Sequence, residues 1–160
     1  MKNRSVLVTG GAGFIGSHLV DRLVNEGAKV RVLDNLSKGK RSYLESSWDN
    51  IEFIEGDIRN TDDVSKALTG IETVFHLAAN TSVPRSVEDP RYDFEVNAGG
   101  TFNLLEACRL QDVNEVVYAS TAAVYGDPQY TPIDEEHPTN PISPYGASKL
   151  SGEKMGAVFQ

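Results

Sequence analysis

Tyr145 and Lys149 stand four residues apart in a stretch of helical pattern, which puts both side chains on one face of a helix. A phenol with its ordinary pKa near 10 is a poor base at neutral pH. An ammonium about 4 Å away favours the phenolate by roughly 4 kcal/mol at an effective dielectric near 20, and desolvation takes back part of that gain. Such a tyrosine can remove the proton of a secondary alcohol while its carbon gives up a hydride. As bare residues the pair also reads as a ring packed beside a snorkelling lysine stem. Ser120 and Thr121 follow directly on an apolar run, so their hydroxyls fall at the end of a strand, where they can converge with the Tyr145 helix. There Thr121 becomes a hydrogen-bond partner for the reacting oxygen. Capping of the next turn is the other reading of this Ser-Thr pair.

Gly10, Gly13 and Gly16 are spaced three apart, between an apolar run and a helical pattern. Gly10 and Gly13 let the backbone turn tightly and approach a pyrophosphate, and Gly16 lets the helix pack close to the sheet. The free N–H groups at the helix start supply the anion site. Without a ligand the same glycines would only shape a tight turn. Asp34 closes the next apolar run, 24 residues after Gly10. A carboxylate there accepts both hydroxyls of an adenosine ribose and repels a 2′-phosphate, which favours NAD over NADP. Lys38 and Arg41 nearby leave a phosphate-accommodating turn open, and a solvated carboxylate is the plainer alternative. Asp57 ends a further apolar run within reach of an adenine edge, or else caps the turn after it.

The elements that must position these residues alternate without a gap. Strands are predicted over residues 5–9, 29–33, 51–55, 72–77 and 116–119. Helices are predicted over 14–25, 39–46, 61–68, 92–108 and 145–160, with Ile15, Leu19 and Leu23 on the first buried stripe and Asn60 or Thr61 capping the third. Residues 125–144 contain five prolines and no periodicity, and are expected to be a folded loop. This order predicts an α/β fold, a Rossmann-type parallel sheet with helices on both faces, in one domain spanning 1–160.

Composition excludes several classes. Fifteen basic and 23 acidic residues give a formal charge of −8, so a nucleic-acid surface or an anionic membrane face is not expected. Cys108 is the single cysteine, and His18, His76 and His137 match no zinc spacing, so neither a disulfide nor a metal site is expected. No membrane span or signal peptide is legible, and a reducing, cytoplasmic setting is the expectation.

Taken in order, Thr9-Gly-Gly-Ala-Gly-Phe-Ile-Gly-Ser17, Asp34-Asn35, Asp57-Ile58, His76-Leu77-Ala78-Ala79, Asn97, Ser120-Thr-Ala-Ala-Val-Tyr-Gly126 and Pro144-Tyr-Gly-Ala-Ser-Lys149 run the length of the chain. With them the sequence resembles the extended short-chain dehydrogenase/reductase family, and within it nucleotide-sugar epimerases of the UDP-glucose 4-epimerase type. The resemblance implies an NAD site. Gly10, Gly13 and Gly16 form its pyrophosphate turn, with the backbone at Phe14 and Ile15 on the phosphates. Asp34 and Asn35 meet the ribose, and Asp57 and Ile58 the adenine. Leu77, Ala78, Ala79 and Ser120 line the cleft, and Asn97 lies near the nicotinamide. It implies Thr121 as the catalytic hydroxyl, Tyr145 as the base, and Lys149 on the nicotinamide ribose.

Dehydratases of this kind carry an Asp-Glu pair just after the catalytic Thr, and decarboxylases a Glu at the second of those places. Here both places are alanine, Ala122 and Ala123, which favours reversible hydride transfer through a 4-keto sugar. Ser82-Val-Pro-Arg-Ser86 resembles the loop of bacterial epimerases that take N-acetylated UDP-hexoses, with Arg85 facing substrate or solvated at a helix start. Thr81 stands where some UDP-glucose epimerases have a cofactor-binding lysine. A UDP-sugar substrate and a full-length homodimer are implied. Another nucleotide-sugar oxidoreductase and a non-catalytic NAD-binding module remain alternatives. Family members are roughly twice as long, so the chain is expected to stop in the helix after Lys149, short of their substrate-binding half. Alone, it is then expected to be inactive and prone to associate.

Overall fold

The structure is a computed structural model and describes residues 1–159. Gln160, the last residue of the expected final helix, lies outside the described residues. The chain divides into two compact units, Met1–Ala78 with Asn103–Ala119, and Ala79–Phe102 with the residues from Ser120 onward.

The first unit is built on β1 (Ser5–Thr9), β2 (Lys29–Asp34), β3 (Ile51–Glu55), β4 (Thr73–His76) and β5 (Glu115–Tyr118), all parallel, in the order β3-β2-β1-β4-β5. The central position of β1 explains why Val6, Leu7 and Val8 are fully buried, whereas β5 alternates and leaves Val117 half exposed. The order reverses at β1. Right-handed crossovers therefore put α1 (Phe14–Asn25), between β1 and β2, on one face, and α2 (Thr61–Leu68), between β3 and β4, on the other. The part of α5 (Gly100–Leu110) in this unit lies beside α2, where Asn103 Nδ2 donates to the Ile58 carbonyl at 3.2 Å and Gln111 Nε2 to that of Ser65 at 2.9 Å.

Several expected boundaries shift for local reasons. The predicted 39–46 helix is only a 3₁₀ turn, Arg41–Leu44, with buried Leu44 anchoring it to the core of Val6, Val8, Val20, Val30 and Val32. The buried stripe of α1 is Gly16, Ser17, Val20 and Leu23; Ile15 is 70% exposed because the first turn stands over the glycine turn rather than the sheet. Asn60 caps α2, its Oδ1 accepting from the Asp62 and Asp63 N–H groups, and Asp62 and Asp63 favour the positive end of the helix.

The second unit holds α3 (Val83–Glu88), α4 (Pro90–Phe94), the start of α5 and α6 (Pro144–Val158). The expected single helix over 92–108 is instead α4 and α5 joined by a π turn, Glu95–Gly99. Thr101 Oγ1 bonds the Asn97 carbonyl at 2.5 Å, and the extra residue turns Asn97 inward while Phe94 and Phe102 face out. α3 is a helix the periodicity did not show; Ser82 and a proline in its first turn start it. Residues 125–143 form neither helix nor strand, and Pro144, expected to close this loop, instead begins α6. The loop is pinned by buried His137, whose Nε2 accepts from the Gln129 N–H at 3.0 Å and whose Nδ1 meets the Pro138 carbonyl at 2.9 Å.

Asn60→Ala is expected to lower stability by about 1 kcal/mol through loss of the α2 cap, and Thr61→Ala by much less. Urea unfolding of the two variants separates the residues that sequence alone left equivalent as caps.

Candidate functional site

In the first unit, β1 ends at Thr9 and the chain turns at Gly10, whose φ of +70° suits glycine. A Cβ at Gly10 would lie 2.7 Å from the Ala78 nitrogen, and one at Gly16 only 2.2 Å from the Gly10 oxygen. Gly16 thus lets α1 close onto the turn rather than onto the sheet. A Cβ at Gly13 would meet only the Gly10 oxygen, at 3.2 Å, so its missing side chain leaves open space in front of the helix. α1 has no side-chain cap, in contrast to α2, α3, α4 and α6, which start on Asn60, Ser82, Asp89 and Ser143. The Gly13 N–H goes to the Gly10 carbonyl at 3.1 Å. The Phe14, Ile15 and Gly16 N–H groups have no acceptor within the helix, and the Phe14 and Ile15 side chains lie out in solvent. The positive end of a twelve-residue helix over an uncapped glycine turn fits a phosphate.

Asp34 ends β2 and is 8% exposed. Its Oδ2 accepts from the Ala12 N–H at 2.9 Å and its Oδ1 from the Leu36 N–H at 2.8 Å, which fixes the carboxylate and leaves each oxygen a further lone pair for a hydroxyl. Arg41 turns away to Glu55, at 2.7 Å, and Lys38 is exposed. Asn35 Nδ2 donates to Asp57 Oδ2 at 2.9 Å, so the two expected nucleotide contacts hold each other. Asp57 also does what the alternative reading assigned it: its Oδ1 accepts from the Arg59 N–H at 2.9 Å, closing the turn. The Arg59 guanidinium hydrogen-bonds both of its oxygens and brings Asp57 down to about 2, against some opposition from burial. Ile58 beside it is buried.

Two positioning residues were not singled out from sequence. Thr9 Oγ1 lies 2.6 Å from His76 Nδ1 and also accepts from the Ala78 N–H at 3.2 Å, while the Leu77 N–H goes to the Thr9 carbonyl at 3.1 Å. Thr9 and His76 thereby set the backbone of Leu77 and Ala78 against Gly10. Both are fully buried polar side chains at facing strand ends, and a threonine closing an apolar strand just before the glycine turn was the available signal.

In the second unit, Thr121 Oγ1 accepts from the Ala123 N–H at 3.2 Å and caps the 3₁₀ turn Ala122–Val124, which leaves its hydroxyl hydrogen to donate elsewhere. Ser120 donates to Glu153 on α6. Tyr145 is 9% exposed in the first turn of α6, its N–H held by Ser86 Oγ at 3.1 Å. Lys149 follows one turn later and is 3% exposed; burial pulls it down to about 8, against the charges of Glu153 and Asp93, which act upward. The side chain of Asn97 is spent inside this unit: its amide donates to the Asn80 carbonyl at 3.0 Å, Asp93 at 3.1 Å and Ser148 Oγ at 3.2 Å, and its oxygen accepts from the Asn80 N–H at 2.8 Å. Ala79 is half-buried, and Arg85 stacks over Tyr92 at 5.1 Å on exposed α3.

Among the described residues no group of histidine, cysteine and carboxylate side chains could hold a metal, and no helix is long and apolar enough to cross a membrane. Cys108 is buried and its thiol is pushed up to about 12 by desolvation.

A family model described as the NAD dependent epimerase/dehydratase family matches residues 6–160. The UDP-glucose 4-epimerase of Mycolicibacterium smegmatis is 49% identical over 156 residues, covering 92% of this chain and 48% of that protein. Among solved structures, the UDP-N-acetylglucosamine 4-epimerase of Methanobrevibacter ruminantium, in complex with UDP-N-acetylmuramic acid, superimposes with a TM-score of 0.94 at 40% identity, covering 99% of this chain and 51% of that one. The Thermus thermophilus UDP-glucose 4-epimerase complex with NAD gives 0.90 at 46% identity, covering 97% and 50%. The chain spans about half the length of the curated relatives it matches.

The glycine geometry separates two roles. Gly16→Ala is expected to lower the thermal unfolding midpoint, because its methyl cannot fit against the Gly10 carbonyl without opening the turn, at a cost of about 1–3 kcal/mol. Gly13→Ala is expected to leave that midpoint near the parent's and to weaken binding of a nucleoside diphosphate, read by calorimetry.

Proposed function

Because the chain belongs to the NAD dependent epimerase/dehydratase family, we propose that the whole protein is an NAD-dependent nucleotide-sugar 4-epimerase. Its substrates are UDP-glucose and UDP-galactose or their N-acetyl forms, and it works as a cytoplasmic homodimer. The observation that carries the epimerase reading is Ala122–Ala123 directly after Thr121. With no carboxylate at either place there is no acid or base for eliminating water, and only reversible oxidation and reduction of the hydroxyl-bearing carbon is left to the site.

The residues of the first unit suit NAD. The α1 N-terminus over Gly13 takes the pyrophosphate, and the fixed Asp34 carboxylate takes the two ribose hydroxyls and repels a 2′-phosphate. Arg41, committed to Glu55, is not offered to such a phosphate. Asp57, held ionised by Arg59, and the Ile58 backbone face the adenine. NAD held by these residues would supply reversible hydride exchange with the hydroxyl-bearing sugar carbon.

Everything else is the work of the second unit's side chains. Tyr145 takes the proton of the sugar 4-hydroxyl and gives it back after the 4-keto sugar has turned. Thr121, already accepting from Ala123, donates its hydroxyl hydrogen to the reacting oxygen and holds it in line. Lys149 places its ammonium at the nicotinamide ribose and next to the phenol, favouring transfer of the proton from substrate to Tyr145. A reading as another nucleotide-sugar oxidoreductase would require net consumption of NAD(H), whereas this one regenerates the cofactor in each turnover.

In the whole protein, Asp34→Ala is expected to weaken NAD binding and to improve NADP binding relative to it; calorimetry with both cofactors checks this, and unchanged discrimination would place Asp34 outside the ribose site. Tyr145→Phe keeps the ring but removes the proton acceptor, and UDP-galactose epimerisation is expected to fall by roughly 10²- to 10⁴-fold. A variant that retained the parental rate across neutral pH would remove Tyr145 from the mechanism.

A further inference from the structure

Lys149 has to be charged to do what the proposed function asks of it, yet it is a lysine with almost no exposure. Two carboxylates in the same unit act on it by their charge, Asp93 of α4 and Glu153 of its own helix. Asp93, on α4, is 0% exposed and accepts three hydrogen bonds. Asn80 Nδ2 at 2.8 Å and Asn97 Nδ2 at 3.1 Å bind Oδ1, and Ser148 Oγ at 2.6 Å binds Oδ2. A buried carboxylate carries a heavy desolvation cost, and three well-aligned donors are what offsets it. Ser148 is the residue immediately before Lys149, so the strongest bond of this cluster fixes the turn of α6 on which Lys149 sits. Glu153 lies one turn beyond Lys149 on the same helix and accepts from the hydroxyl of Ser120, the residue before Thr121.

We propose that Asp93 and Glu153 are positioning residues that act through Lys149. Asp93 locks the α6 turn by way of Ser148, Glu153 ties the next turn to the Ser120–Thr121 segment, and together they are the counter-charges of the buried ammonium. The functional half of this inference rests on the epimerase reading; the electrostatic half stands without it. Both carboxylates push the lysine upward while burial pulls it down, and the balance leaves it near 8. The remaining ionisable groups of the elements packed on α6 do not compete for this role. Arg85 and Glu88 of α3, Arg91 of α4 and Glu95 of the π turn are exposed, as is Lys154 on α6 itself; Tyr92 of α4 is half-buried under the Arg85 guanidinium, and Tyr145 is the proposed proton acceptor one turn before Lys149.

Both carboxylates can be neutralised without removing their hydrogen bonds. In Asp93→Asn the oxygen stays with the two amides, the new NH₂ donates to Ser148 Oγ, and the serine hydrogen turns to the Tyr145 carbonyl, already 3.0 Å away. In Glu153→Gln the amide oxygen still accepts from Ser120. The test uses the whole protein with ¹³Cε-labelled lysine, the Lys149 resonance being identified by its loss in Lys149→Met, and follows its titration midpoint in parent and variants. Each neutralisation is expected to lower the midpoint by roughly one pH unit, a tenfold loss of proton affinity. The double variant is expected to lower it further. In kcat/KM for epimerisation, the alkaline limb should move down by the same amount, so that the variants' loss grows as pH rises through 8 and shrinks toward pH 6.5. A midpoint that stays in place in correctly folded variants overturns the proposal, as does a loss of rate equal at all pH values. Should Asp93→Asn not fold, Glu153→Gln, at a partly exposed position, carries the same test. The resonance reports on Lys149 whether or not a sugar nucleotide is turned over. A moved midpoint therefore supports the electrostatic half even in a protein whose assays defeat the epimerase reading.

Discussion

The oxygen of Gly10 occupies the place where any side chain at position 16 would have to go. This close approach governs the ligand-facing end of the first unit. Because α1 can settle directly on the turn that ends β1, its first N–H groups face outward without a capping side chain, and Phe14 and Ile15 are left over solvent instead of over the sheet. The same turn presses Gly10 against the backbone at Ala78, whose own N–H is fixed by Thr9, itself paired with His76. One steric fact about a glycine is thereby linked through two buried polar side chains to the carboxyl ends of β1 and β4. In a parallel sheet those ends are where a nucleotide is received. Nothing in that arrangement needs net positive charge, so a formal charge of −8 is compatible with the proposed phosphate site.

In the second unit the organising group is a charge rather than a contact. The Asp93 carboxylate, enclosed by Asn80, Asn97 and Ser148, gives three polar side chains from different stretches of chain one common acceptor. The π turn follows from the same demand. An unbroken helix from Tyr92 to Cys108 would keep a single apolar stripe, and the one-residue insertion turns Asn97 in toward Asp93 and Ser148 while α5 resumes with Leu104, Leu105 and Cys108 on its buried side.

Why the first unit could be read so closely from sequence, and the second less so, has a physical cause. Strands buried on both faces are continuous apolar runs, and helices of eight residues or more show their period, so β1, α1 and α2 begin and end where expected. Of the expected α1 stripe only Ile15 falls outside the core, because a periodicity argument cannot know that the first turn stands over the glycine turn; Leu19 packs against the core and Leu23 is buried. The 3₁₀ turn at Arg41–Leu44 and the six-residue α3 are too short for a period to register. Asp93, Asn80 and Ser148 were invisible for a different reason. A buried polar residue is identified by its partners, and those partners are distant in sequence: 55 residues separate Asp93 from Ser148. The residues proposed to carry the chemistry, Tyr145, Lys149 and Thr121, could be nominated from sequence because local spacing suggests their roles. The groups that hold them in place could not.

Lys149 shows what this arrangement costs the fold. A lysine at 10.5 in the unfolded chain and near 8 in the folded one binds fewer protons when folded at any pH between those values, so stability rises as pH rises through that window. Below about pH 8 the side chain is charged in both states and the burial penalty, about 3 kcal/mol by linkage, is present in full. It is relieved only as the unfolded chain also loses its proton. The contribution of Lys149 is thus at its most unfavourable everywhere below about pH 8, which includes the neutral range where the proposed chemistry needs the ammonium. Replacing Asp93 and Glu153 with apolar residues would deepen the penalty by removing the charges that oppose it, and exposing Lys149 would lift the penalty but screen its field from Tyr145. Burial with two carboxylates on hand is the compromise that keeps the lysine both charged and influential, and it is maintained at the expense of stability.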